Sequence, residues 1–334
     1  MVRTPFLSAR ALMIAIATCV LAACSGGGGQ QATPAAGTNA SAGAPAQSQS
    51  RTTGVRSEDR GGSQGDSDEN GGKTVYNSIP KPVSSYIASL GFECCSVKEF
   101  GDGLKLTHTG RLDSVSVVMD SWGCQSGSWN AFNCVSAPNA SFTHPITVNV
   151  YAANTSGPAP AVGPVLATQT QTFTIPYRPS ADNVRCTGTD KGKFYSTVDH
   201  KCVNGLANVI SYDLSSAHVT LPAKIIVSVA YNTSTAGYAP IGTSTACFTS
   251  SGGCGYDSLN VSANGNGGPV GSVLDPNGVF VYYANVAFYC DPTQGSSFRL
   301  DTSPTSCGWA GYHPQIKVTI GNGDGSGDHG HGHD

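Results

Sequence analysis

Ile225-Ile-Val-Ser-Val-Ala-Tyr231 sets Ile225, Val227, Val229 and Tyr231 on alternate positions. Side chains point to alternate sides of an extended chain, so this pattern predicts a strand with one buried face. The same period recurs in Val115, Val117 and Met119, in Ile146, Val148 and Val150, and in Ile316, Val318 and Ile320. Val279–Cys290 carries Phe280, Tyr282, Ala284, Val286 and Phe288 on one side and is nearly as apolar on the other. That predicts a central strand. Gly, Pro, Asn and Asp separate the runs, as turns require. Helical periodicity is weak, and Val83–Leu90 is the best candidate for one short helix. The pattern predicts about nine or ten strands between residues 79 and 321. The fold class expected is all-β: one antiparallel, jelly-roll-like β-sandwich, with two smaller sandwiches as the alternative.

Composition agrees with an exported, turn-rich chain. Of the 334 residues, 12% are charged, against about 25% in ordinary soluble proteins. Gly contributes 42 residues, Pro 19 and Cys 12. A coiled coil needs far more Glu, Lys, Arg and Leu. A nucleic-acid partner is excluded on charge, since the formal net charge is −3 rather than strongly positive. Twelve cysteines are foreign to a reduced cytosolic enzyme.

The N-terminus reads as an address. Arg3 and Arg10 precede the apolar run Ala11–Leu21. Eleven residues are too few to span a bilayer as a helix, which takes roughly 20, so residues 1–23 are expected to be a signal peptide. Leu21-Ala22-Ala23-Cys24 resembles the bacterial lipobox. That resemblance implies a lipoprotein: diacylglycerol on the Cys24 sulfur, cleavage before it, and acylation (palmitate or a similar chain) of the new amine. Several acyl chains on one residue anchor a protein far more firmly than one. Ser25 after the cysteine implies the outer membrane, with the domain periplasmic or surface-exposed. Without Arg3 and Arg10 the 18 basic residues fall to 16 against 21 acidic ones, a net of −5, so attachment is by lipid and not by charge. Residues 24–78 are expected to form a disordered linker, because Gly, Ser, Ala, Gln and Thr cannot bury enough surface to offset chain entropy. As a flexible coil it would span roughly 40 Å.

Ten cysteines remain for the folded domain at residues 79–321: Cys94, Cys95, Cys124, Cys134, Cys186, Cys202, Cys247, Cys254, Cys290 and Cys307. An even number in an exported chain predicts a disulfide framework. Proximity suggests the local pairs Cys124–Cys134, Cys186–Cys202, Cys247–Cys254 and Cys290–Cys307. Cys94 and Cys95 would then pair with each other or bridge elsewhere. Irregular spacing without a CxxC pair argues against zinc. The runs Ser121–Trp129, Ile175–Ala181, Val229–Ser234 and Cys247–Asn260 resemble an uncharacterised group of exported bacterial β-sandwich proteins, which implies no particular activity.

Motifs for chemistry are sparse. There is no GxSxG elbow, HExxH, Walker A loop or dinucleotide fingerprint. The domain has two glutamates, Glu93 and Glu99, and eleven aspartates, most of them in turn-like surroundings. Asp120, beside Ser121 and Trp122, is the weak candidate for a catalytic acid, its alternative being a polar strand end. Trp122, Trp129 and Trp309 adjoin proposed disulfide loops. They are candidates either for small cores over those bridges or for platforms that stack on sugar rings, Trp129 above all. Residues 322–334 form a Gly-rich tail in which Asp328, His329, His331 and His333 could hold Zn²⁺ or Ca²⁺ weakly; the domain itself is expected to need no cofactor. The function expected is an envelope-anchored, non-catalytic binding or structural module for a glycan, matrix component or partner protein. The alternatives are an extracellular hydrolase on polysaccharide or peptide, and metal binding by the tail. An aromatic ledge without acids would favour binding, and a carboxylate pair in a cleft would favour the enzyme.

Overall fold

The computed structural model describes residues 72–92, 97–127, 129, 132–231, 259–263, 268–283, 286, 289–290, 292–302 and 312–321. Cys24, Cys94, Cys95, Cys247, Cys254, Cys307, Trp309 and the four candidate tail ligands lie outside them.

The chain builds two antiparallel sheets. One contains β1 (Lys73–Asn77), β2 (Ala88–Gly91), β4 (Gly110–Ser121), β9 (Leu206–Asp213), β10 (Thr220–Leu221), β12 (Leu259–Ala263) and β16 (Ile316–Ile320). The other contains β3 (Val97–Lys105), β5 (Ser141–Asn154), β6 (Ala161–Pro176), β11 (Lys224–Ala230), β13 (Ser272–Val273), β14 (Gly278–Tyr283) and β15 (Arg299–Thr302). A separate hairpin pairs β7 (Phe194–Ser196) with β8 (Lys201–Val203).

Eight of these strands make a jelly roll. They lie in the orders β2-β12-β4-β9 and β3-β11-β5-β6, and the chain crosses between sheets at most steps. β16 shares an edge of β4 with β12, and β1 pairs with β16. β14 and β15 extend the second sheet beyond β3. The alternating residues that predicted strands line one shared core: Val115, Val117 and Met119 from β4, Ile146, Val148 and Val150 from β5, and Ile225, Val227 and Val229 from β11. Tyr212 on β9 donates its hydroxyl to Ile146 O on β5 at 3.0 Å, and Phe173 on β6 meets its ring edge-on at 4.9 Å. The two sheets are therefore faces of one sandwich, not two sandwiches.

Three expectations need correction. Val83–Leu90 is not a helix. Ser84 Oγ accepts from Tyr86 N at 2.9 Å, and Asp199 accepts from Ser84 Oγ and Ser85 N. These bonds compete with helical ones, and Ala88–Gly91 then joins β12 as a strand. The fold also starts before residue 79. Val75 and Tyr76, placed in the linker, are fully buried in β1, because a β-branched and an aromatic residue complete the strand that covers β16. Finally, the Val279–Cys290 strand is interior, as expected, but stops at Tyr283. Tyr289 folds back, and its hydroxyl accepts from Tyr283 N at 3.0 Å.

Two local disulfides are present, Cys124–Cys134 and Cys186–Cys202, with Cα–Cα distances of 5.4 and 5.8 Å. Cys290 is also disulfide-bonded. Arg178, fully buried, ties both loops to the sandwich. Its backbone N donates to Gly123 O at 3.0 Å, its Nη2 donates to Gly192 O at 2.7 Å, and its guanidinium lies 5.4 Å from the Phe194 ring.

Candidate functional site

Asp120, Glu99 and Asp102 are buried carboxylates with partners inside the fold. Asp120 sits on β4 at 1% exposure, where its Oδ2 accepts from Trp122 Nε1 at 2.7 Å. Gly205 closes over it: a Cβ there would lie 2.2 Å from Oδ2 and 2.3 Å from Trp122 Nε1. Burial pushes the Asp120 carboxyl up to about 6, against the pull of bonds from Trp122 and Ser89 and the charge of Arg178. The Asp120 carboxyl is thus enclosed beneath Gly205 and Trp122. Trp122 is spent on Asp120, and Trp129, half-buried, leans edge-on against it at 4.8 Å. The two rings form a small cluster beside the Cys124–Cys134 loop rather than a flat ledge.

Two further acidic centres lie on opposite faces of β3, because Glu99 and Asp102 differ by an odd number of positions. Glu99 faces away from the main core. Its Oε1 accepts from Asn149 Nδ2 at 3.0 Å, Tyr151 OH at 2.7 Å and Ser228 Oγ at 2.5 Å. Phe298 packs against the Tyr151 ring at 5.4 Å and helps cover the network. Asp102 points inward between Phe100 and Leu104, where its Oδ2 lies 2.9 Å from His313 Nδ1 and its Oδ1 accepts from Gly103 N at 2.7 Å. Burial pushes Asp102 up to about 6, although His313 opposes the rise. Burial alone would lower His313, but the hydrogen bond and charge of Asp102 outweigh it and raise its pKa.

A groove of about 660 Å³ lies beside β1 and β2. Asn77, Ser78, Lys81, Ser84, Tyr86, Tyr312 and Gln315 supply its polar and aromatic lining, and no carboxylate lines it among the described residues. Its walls come from four separate parts of the chain. The segment 77–88 runs along one side, Ala263 closes the end of β12, Gly268 and Pro269 form a rim, and Tyr312 and Gln315 enter β16. Gly268 lets that rim approach β1: a Cβ on it would lie 1.7 Å from Asn77 O. The Asp199 bonds that prevent a helix at Val83–Leu90 also hold Ser84 and Ser85, and so set out Tyr86, which is 59% exposed. Lys201 Nζ lies 3.9 Å from the centroid of that ring.

Sequence reasoning singled out the tryptophans and missed the tyrosines. Tyr86 and Tyr312 are more than 200 residues apart, and neither belongs to a local motif. A pointer was present in Asn77 and Gln315, polar residues at strand borders, and in Ser84 between strands, but nothing local distinguishes these from turn residues. No family model, curated protein or solved structure matches the chain.

Proposed function

We propose that this protein is an envelope-anchored, non-catalytic binding module whose groove takes a glycan of the envelope or its surroundings. The lipid on Cys24 and the linker after it would carry the jelly roll on the outer membrane. The observation that carries the reading is the lining of the groove. It offers tyrosine rings and carboxamides, which suit stacking and hydrogen bonding. Hydrolysis of a glycoside calls for two carboxyl groups across one bond, whereas Glu99, Asp102 and Asp120 are each enclosed by their own partners.

Retention and cleavage distinguish a binder from a hydrolase. The full-length chain is passed over immobilised cellulose, mannan, chitin, pectin and peptidoglycan, and the eluates are assayed for new reducing ends. Retention on at least one polymer with no release of reducing ends is the expected result. Release of reducing ends would make the protein a hydrolase and overturn the proposal.

A further inference from the structure

Gln315, which lines the groove, carries a polar atom with no partner among the described residues. Gln315 is 1% exposed, and its Oε1 is buried without a hydrogen bond. Its backbone is fixed on both sides: N donates to Ser262 O and O accepts from Val118 N, each at 3.1 Å. The side chain therefore cannot escape by a shift of the main chain. A buried amide oxygen left unpaired is costly, and native proteins pair such groups with protein, water or ligand.

The neighbouring polar groups are already committed. Ser78 Oγ accepts from Ile316 N at 2.9 Å, and Ser84 Oγ donates to Asp199 at 2.5 Å. Asn77 Oδ1 accepts from Ile79 N at 2.9 Å, which leaves the Asn77 amide N–H groups as donors. Gln315 and Asn77 both line the groove, one with an unpartnered acceptor and the other with a donor, and the exposed Tyr86 ring stands beside them.

We infer that this part of the groove is a subsite for one sugar unit of a neutral glycan, an inference that rests on the binding reading above. A sugar hydroxyl both donates and accepts, so hydroxyls answer Gln315 Oε1 and Asn77 Nδ2 together. The C–H face of the sugar covers the face of the Tyr86 ring opposite Lys201. A uronate shares those hydroxyls, but its carboxylate, like a sulfate group, would place a negative charge beside a buried acceptor. A peptide can pair with both carboxamides through its backbone, and titration with a hexapeptide decides between the two.

Titration calorimetry on the full-length chain tests this with cellohexaose, mannohexaose, chitohexaose, trigalacturonate and an uncharged hexapeptide. At least one neutral hexaose is expected to bind, and Gln315→Leu and Tyr86→Ala are each expected to weaken it tenfold or more. Tyr86 is exposed, so its variant should fold and decides the matter alone if Gln315→Leu does not. Undiminished binding in Tyr86→Ala would overturn the subsite while leaving the module a binder. Tighter binding of trigalacturonate or the hexapeptide would overturn the neutral-glycan assignment. Failure of every neutral hexaose would overturn the subsite, whereas failure of the broader reading is read separately, from reducing ends released in the polymer screen.

Discussion

His144 is the residue whose environment makes the sharpest prediction. It is fully buried, packs edge-on against Tyr231 at 5.1 Å, and has both ring nitrogens without a partner. Burial lowers its pKa from 6.5 to about 4. The unfolded chain therefore binds a proton below 6.5 that the folded chain refuses. Stability from this residue is present above 6.5 and lost as pH falls toward 4, a loss of roughly 3 kcal/mol. Asp102 and Asp120 act oppositely. Each is raised from 3.8 to about 6, so each costs stability above about 6 and regains it as pH falls toward 3.8. His313 is raised, so its contribution is complete below 6.5 and fades as pH climbs through its folded value. Replacing His144 with Phe removes the one group among these that penalises acid. The His144→Phe variant is expected to hold its Tm at pH 7, since neither ring nitrogen loses a bond. Its midpoint at pH 4.5 should exceed that of the parent by several degrees. Thermal melts at the two pH values check this, and an equal fall in both proteins would contradict it. None of this was legible in the chain, where His144 is one histidine among several between Thr143 and Pro145. Its burial arises from β5 pairing with β6 and from Tyr231, 87 positions away in the sequence.

At the scale of elements, the strands were legible and their partners were not. Period-two alternation belongs to a single strand and survives in any pairing, so β4, β5, β11 and β16 could be read directly. The order β2-β12-β4-β9 depends on contacts across 85 to 175 positions, which local pattern does not encode. Short strands were missed where they hold few apolar residues, as in β8 with Lys201, Cys202 and Val203. The hairpin β7–β8 is held by Cys186–Cys202 and carries Asp199 in its turn. Asp199 accepts from Ser84, Ser85 and Ser196, and Lys201 attends Tyr86. The disulfide thus supports the groove from outside it. A loop of this length is worth about 3 kcal/mol in the chain-entropy model. Cys186→Ser with Cys202→Ser should lower stability by about 2–4 kcal/mol and weaken whatever the groove binds, while Gly101 and its neighbours on β3 keep their pairing with β11. Hydrogen exchange reads the two regions separately. Protection should fall at residues 81–87 and 186–203 and persist in β3, β5 and β11; uniform loss would mean that the hairpin is an integral part of the core.

At the scale of the whole molecule, a glycan-binding jelly roll would have to be held near its ligand. A freely diffusing module of weak affinity spends little time bound. Fixing it to a surface raises its effective concentration near any polymer within reach. A linker that starts at Cys24 and ends where β1 begins at Lys73 would let the groove sample a layer roughly 40 Å deep. On the proposed reading the acyl chains and the groove would serve one function: the lipid would supply residence and the groove choice. This makes Cys24 testable independently of the fold. In a bacterial host, Cys24→Ser is expected to abolish incorporation of labelled palmitate and to move the protein from the membrane fraction to the soluble fraction. The purified variant should keep its Tm and its affinity for the glycan, because residues 72–92 and all strands lie downstream of the change. Cells carrying the variant should nevertheless retain far less polymer at their surface. Continued palmitate labelling would remove the lipid from the account, and unchanged retention of polymer by whole cells would show that attachment contributes nothing to binding.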